Sequence, residues 1–244
     1  MAFGAFIQGK GLDAGTVNST TLAYTTNNVA GNILSLFAFC GLPAINNVTS
    51  VTDTAGNTWT RRSAIKILTD GDDFEAWTAF NSIVGANTVK VGNASSATLR
   101  LIIQEHTGNA ASTTFDTSAA STATAISSNS GPATVAQATT LLLGGMGNAS
   151  AATVTSTSPF TQRVATPASP NTRIAAQDAL TTSTGSYRSI AFQNASIEWG
   201  AIMLAINAGS AAAPNRIRFP TPLSGVGSGN QFFGDRLLRE YVLP

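Results

Sequence analysis

The sequence predicts an all-β protein, an antiparallel β-sandwich or barrel. Three observations predict it. Apolar and polar residues alternate with period two in segment after segment, while no stretch sustains the 3.6-residue period of a helix. Strand-like segments recur at spacings of about ten residues, with Gly, Asn and Asp turn signals between them. Hydrophobic residues make up 43% of the 244 positions, enough to bury a sizeable core, although long stretches consist of Ala, Ser, Thr, Gly and Asn.

The elements follow in order. Thr20–Thr25 reads as a strand, closed by Asn27-Asn28 and Gly31-Asn32. Ile33–Phe39 is nearly continuous in apolar residues, the pattern of a strand covered on both faces. Val48–Asp53 leads into the turn Ala55-Gly56-Asn57, and Thr58–Arg62 resumes the alternation. Phe74–Phe80 places Phe74, Ala76, Thr78 and Phe80 on one face and Glu75, Trp77 and Ala79 on the other. Thr88–Val91 and Thr98–His106 come next. Residues 107–135 differ: thirteen of these 29 are Ser or Thr, seven are Ala, and Asp116 is the only charge. Hydroxyl side chains bond locally and favour turns and extended chain over helix, so this stretch is expected to be extended and mostly irregular. Strands return at Thr139–Gly144, Phe160–Ala165, Arg173–Leu180, Tyr187–Phe192 and Trp199–Ile206.

The pattern stops at Gly209-Ser210, dividing the chain into a sandwich domain over 1–209 and an appended segment over 210–244. That segment carries four of the thirteen basic residues, Arg216, Arg218, Arg236 and Arg239, with Phe232, Phe233, Leu237 and Tyr241. Its apolar set is too small for a core of its own. Arg and aromatic side chains are those enriched at interfaces. It is therefore read either as an arm docking on a neighbouring subunit through these residues or as a strap across its own domain.

Composition excludes more than it names. Only 10% of residues are charged, with a single His and a single Cys, whereas acid–base or metal chemistry needs several titratable groups in one cleft. No catalytic residue, metal ligand or cofactor site is expected. A net charge of +1 offers no field for nucleic acid or a membrane surface, and no apolar stretch has the length of a membrane span. The first residues lack the basic and apolar regions of a secretory signal, which predicts a chain made in a cytoplasm. Low charge favours self-association, hence a homo-oligomer or a protein held in an assembly.

The individual motifs have plain structural explanations. Cys40 ends an apolar run and is expected to be a buried small hydrophobe. Asp70-Gly71-Asp72-Asp73 reads as a hairpin turn because Asp-Gly is a tight-turn signal. Glu105 and His106 should point to opposite faces, with His106 a surface or capping residue. Gly225-Val226-Gly227-Ser228-Gly229 lacks the strand, Lys and helix of a phosphate loop. Trp59 and Trp199 are assigned to the core. Trp77 is the one aromatic considered for stacking on a sugar.

The ordered motifs carry a resemblance. The strand Asn32–Ala38, the turn Val51-Thr52-Asp53-Thr54-Ala55-Gly56-Asn57-Thr58-Trp59, the Trp77 strand and the apolar strand ending near Glu105 occur in that order. Thr140–Gly145, Ser158-Pro159-Phe160-Thr161-Gln162-Arg163 and Trp199–Ile206 follow. Together, over roughly residues 18–207, they resemble a jelly-roll-like β-sandwich domain of tailed-bacteriophage virion proteins. The resemblance implies a non-enzymatic structural protein of the virion, made in the host cytoplasm. A capsid decoration or cement protein fits first, with the major capsid protein or neck and tail proteins as partners. The alternative is a receptor- or glycan-binding module of a fibre, collar or tail, contacting a host surface glycan.

Overall fold

The structure is a computed structural model that describes residues 2–67, 71–109, 112–148, 150, 152–166 and 173–209. The docking residues expected over 210–244, from Arg216 to Tyr241, lie outside the described residues, as does Asp70. The described strands are β1 (Phe6–Ala23), β2 (Ile33–Cys40), β3 (Val48–Asp53), β4 (Thr60–Lys66), β5 (Asp73–Ala79), β6 (Thr88–His106) and β7 (Thr114–Asn129). They continue with β8 (Ala133–Val135), β9 (Thr140–Asn148), β10 (Val154–Ser156), β11 (Thr161–Ala165), β12 (Arg173–Leu180), β13 (Gly185–Tyr187) and β14 (Ile190–Asn207). There is no α-helix among the described residues.

The chain is an antiparallel β-sandwich, and it completes one sheet before starting the other. The first sheet runs β1-β6-β2-β5-β4, with β3 also on β6; the second runs β10-β14-β9-β12-β11, with β7 also on β14. A short ladder joins β8 to β13. The two central strands, β2 and β9, are buried along their whole length. This is why both read as unbroken apolar or small-residue runs instead of alternating ones.

The core is layered. Phe37, Phe39, Phe74 and Ile102 of the first sheet meet Leu141, Leu143, Ile174, Ile202 and Leu204 of the second. Phe37 and Phe74 stack at 6.0 Å. The opposite face of the first sheet carries a second apolar cluster that includes Leu34, Leu36, Leu101 and Ile103. Leu22, Val48, Val89 and Val91 join that cluster from the far ends of β1, β3 and β6. Those ends can fold over the sheet because the β1–β6 ladder is irregular there: residues 93–96 of β6 face the single residue Asn18 of β1. An insertion of this kind bends a strand and increases its twist. Leu142 belongs to a third cluster, with Met203 and Phe160, on the outer face of the second sheet.

Several sequence expectations change. The first strand begins at Phe6, fourteen residues before Thr20, because residues 6–19 pair along β6 despite their weak alternation. Thr88–Val91 and Thr98–His106 are two ends of one strand; Ile190–Phe192 and Trp199–Ile206 likewise share β14, whereas Tyr187 pairs with β8 and Arg188 and Ser189 lie between the strands. The Ser/Thr/Ala stretch holds the sixteen-residue strand β7, laid along β14. Small side chains lack the apolar signature of a strand, yet β7 is held by its long backbone ladder with β14.

Candidate functional site

Several carboxylates sit in buried or half-buried polar clusters. The turn after β3 shows how one is built. Asp53 Oδ1 accepts from Asn57 N at 2.9 Å, and Oδ2 accepts from Asn57 Nδ2 at 2.8 Å, Trp59 Nε1 at 2.9 Å and Asn87 Nδ2 at 3.1 Å. Gly56 supplies the φ of +81° that lets the chain return. Burial opposes ionisation of Asp53, but these donors outweigh it and hold the carboxyl below its usual range. The Val51–Trp59 motif is thus a self-bonded turn, with Trp59 half-buried against the outer cluster.

Glu75 is fully buried on the outer face of β5. It accepts from Val48 N at 2.9 Å, Arg61 Nε at 2.6 Å and Trp77 Nε1 at 2.9 Å. The Arg61 guanidinium lies 4.7 Å from the centroid of Trp77, whose ring is half-buried. The ring considered for a sugar therefore has a cation over it. Beside this group, Asp73 takes Asn47 N at 2.7 Å. Burial, then its bond to Glu75, pushes the Asp73 carboxyl up to about 8. Asp73 closes the β4–β5 hairpin by pairing with Lys66, in the turn the Asp-Gly signal predicted. Cys40, paired with Asp73 in the ladder, is fully buried, and its thiol is pushed up to about 12 by burial and then by Asp73, Glu75 and Asp72.

Glu105 and His106 do point to opposite faces, yet both are completely buried. Glu105 collects four donors: Gln8 Nε2 at 2.6 Å, Asn28 Nδ2 at 2.7 Å, Val29 N at 2.8 Å and Asn32 Nδ2 at 2.7 Å. His106, expected at the surface, instead crosses between the sheets. Its Nε2 lies 2.7 Å from Asp178 Oδ2 on β12. Arg163 Nε bonds both oxygens of Asp178, at 2.9 and 3.0 Å. Phe6 meets the His106 ring edge-on at 5.5 Å, with the Arg163 guanidinium 5.0 Å from its centroid. Burial opposes ionisation of Asp178, but His106 and Arg163 prevail and hold its carboxyl below the usual range.

A groove of about 280 Å³ opens beside this last cluster, lined by Phe3, Phe6, Pro159, Arg163, Asp178 and Leu180. Here a buried polar cluster borders an opening. The sequence signal was thin, because His106 and Asp178 stand 72 positions apart and only the packing of two sheets unites them. No group of three His, Cys, Asp or Glu that could hold a metal occurs among the described residues. No helix among them is long and apolar enough to cross a membrane. Comparison with known family models, curated proteins and solved structures returned no match to this chain.

Proposed function

We propose that the chain is a non-enzymatic structural protein of a tailed-bacteriophage virion, a decoration or cement protein on the capsid. The observation that carries the non-catalytic part is the use to which its carboxylates are put. Asp53, Glu75, Glu105 and Asp178 each accept two or more hydrogen bonds from the protein itself. A general acid or nucleophile must keep an oxygen for substrate; these oxygens hold strands and turns together. The virion part rests on the ordered motifs of the sequence. A closed sandwich supplies a durable body, and the Arg- and aromatic-containing segment after Ser210 supplies the side chains suited to docking on a lattice. In the alternative, a glycan-binding module using Trp77, a sugar would have to compete with Arg61 for the indole face it covers.

The test is a chain ending at Ala213, produced in place of the full protein during particle assembly. The expected result is a sandwich with unchanged circular dichroism and melting temperature that is missing from purified particles. Truncated chain retained on particles at the full-length level overturns the docking role of residues 215–244.

A further inference from the structure

We infer that the chain is a covalently joined dimer: residues 6–106 and 114–207 are two copies of one six-stranded unit, related by an approximate two-fold axis through the sandwich core. The two sheets share one topology in one chain order. Replacing β1, β2, β3, β4, β5 and β6 by β7, β9, β10, β11, β12 and β14 converts the first sheet, with all its neighbours, into the second. Chance agreement in strand number is easy; agreement in order, pairing and irregularity is not.

The irregularities match position for position. Residues 93–96 of β6 face Asn18 of β1, and residues 193–196 of β14 face the single residue Ile126 of β7. The β4–β5 ladder skips Arg62, and the β11–β12 ladder skips Arg163. Around these bulges the sequences read Trp59-Thr60-Arg61-Arg62 and Phe160-Thr161-Gln162-Arg163. Asn93 Nδ2 donates to Val17 O, and Gln193 Nε2 donates to Ala125 O, the corresponding carbonyl. The bridge from Asn28 to Gly85 recurs as Val135 to Gly185, with both glycines at positive φ.

Contacts between the halves recur in reciprocal pairs, as a two-fold interface requires. Arg62 lies 4.8 Å from the Phe115 ring of the other half, and Arg163 lies 5.0 Å from Phe6, the equivalent of Phe115. β4 lies against β7, and β11 lies against β1. A residue on a two-fold axis must touch its own equivalent. The registers make Phe37 of β2 the equivalent of Gly145 of β9. A Cβ on Gly145 would run into the Phe37 ring. Two phenylalanines could not share this spot, so one copy holds the ring and the other the space for it. Among the described residues of the first half, two of the three fully buried acids, Glu75 and Glu105, have Ala175 and Ala205 at their equivalent positions, so the six-stranded unit does not need those two.

The experiment exchanges the axial pair in the full chain. Phe37→Gly and Gly145→Phe are each expected to lower the melting temperature by roughly 8–16 °C, through a cavity and an overpacked core respectively. The double variant, which puts the ring back into the same axial space from the other copy, is expected to recover more than half of the larger loss. If Gly145→Phe alone does not fold, a soluble, folded double variant supports the axial equivalence equally. A double variant no more stable than the worse single overturns it. An experimental structure of the unaltered chain checks the whole relation: the halves should superpose with the strand correspondence above by a rotation of about half a turn. Superposition only under another correspondence overturns the duplication.

Discussion

His106 Nε2 lies 2.7 Å from Asp178 Oδ2 between the two sheets, with both side chains at or near complete burial. The contact links the last residue of one half's longest strand to the middle of β12 in the other half. With the Asp178 carboxyl held below its usual range by His106 and Arg163 against the cost of burial, its contribution to stability is present above the unfolded-state range and lost as pH falls. Asp178→Ala is expected to cost about 3 kcal/mol near neutral pH, because it leaves a buried imidazole nitrogen and a partly exposed guanidinium without their acceptor. Urea unfolding of the two proteins measures it; a loss under about 1 kcal/mol would show that the pair does not hold the sheets.

Asp73 predicts the opposite pH slope. Its folded-state carboxyl titrates at about 8, while an unfolded Asp titrates near the usual ~3.9, so between these values the folded protein keeps a proton that the unfolded chain releases. Its stabilising contribution is full below the unfolded value and lost as pH rises through the folded one. Asp73→Asn should flatten the fall in melting temperature across that window. An unchanged profile would place the titration elsewhere.

Among the described residues, Glu105 is bonded to donors at Gln8, Asn28, Val29 and Asn32. Glu105→Gln turns one acceptor oxygen into an NH₂ facing those donors, at an expected cost of about 2–4 kcal/mol. Chemical denaturation reads it, and a neutral substitution would mean that the loop at Asn28–Asn32 is anchored by other bonds.

Leu101 is fully buried in the cluster on the outer face of the first sheet. Leu101→Ala should cost roughly 2–5 kcal/mol. A cost as small as that of a surface truncation would show that this outer layer opens independently of the sandwich.

Cys40 offers an inexpensive check on the same layer. Burial and nearby carboxylates push its thiol to about 12, so a thiol reagent at neutral pH should label it only as fast as the protein unfolds. Rapid labelling of the native protein would contradict the placement of β2 at the sheet centre.

The strands with a strong apolar signal were legible in the sequence. Leu34, Leu36, Phe39, Leu101, Ile103, Leu142, Ile202 and Leu204 are all fully buried as their patterns predicted. What the patterns hid is that these residues occupy different layers, since period two marks two faces of a strand but not what covers each. β7 was invisible because Ala and Ser pack in a sheet without an apolar signature. His106 was misplaced to the surface, and the burial of Asp73 and Glu105 went unread, because a charged residue is normally exposed and only the bonding partners that surround it make burial tolerable. Those partners are Asn47 for Asp73, Asn28 and Asn32 for Glu105, and the acceptor Asp178 for His106, all remote in sequence from the groups they meet. The cluster beside the groove was illegible for the same reason.

If this chain is a structural part of a virion, imaging of particles will locate it there. Particles from cells carrying its gene, labelled with an antibody against the sandwich and viewed by electron microscopy, should show label distributed over the capsid shell. Label confined to tail, collar or fibre would favour the receptor-binding alternative. Particles that assemble and infect normally without any label would contradict the account.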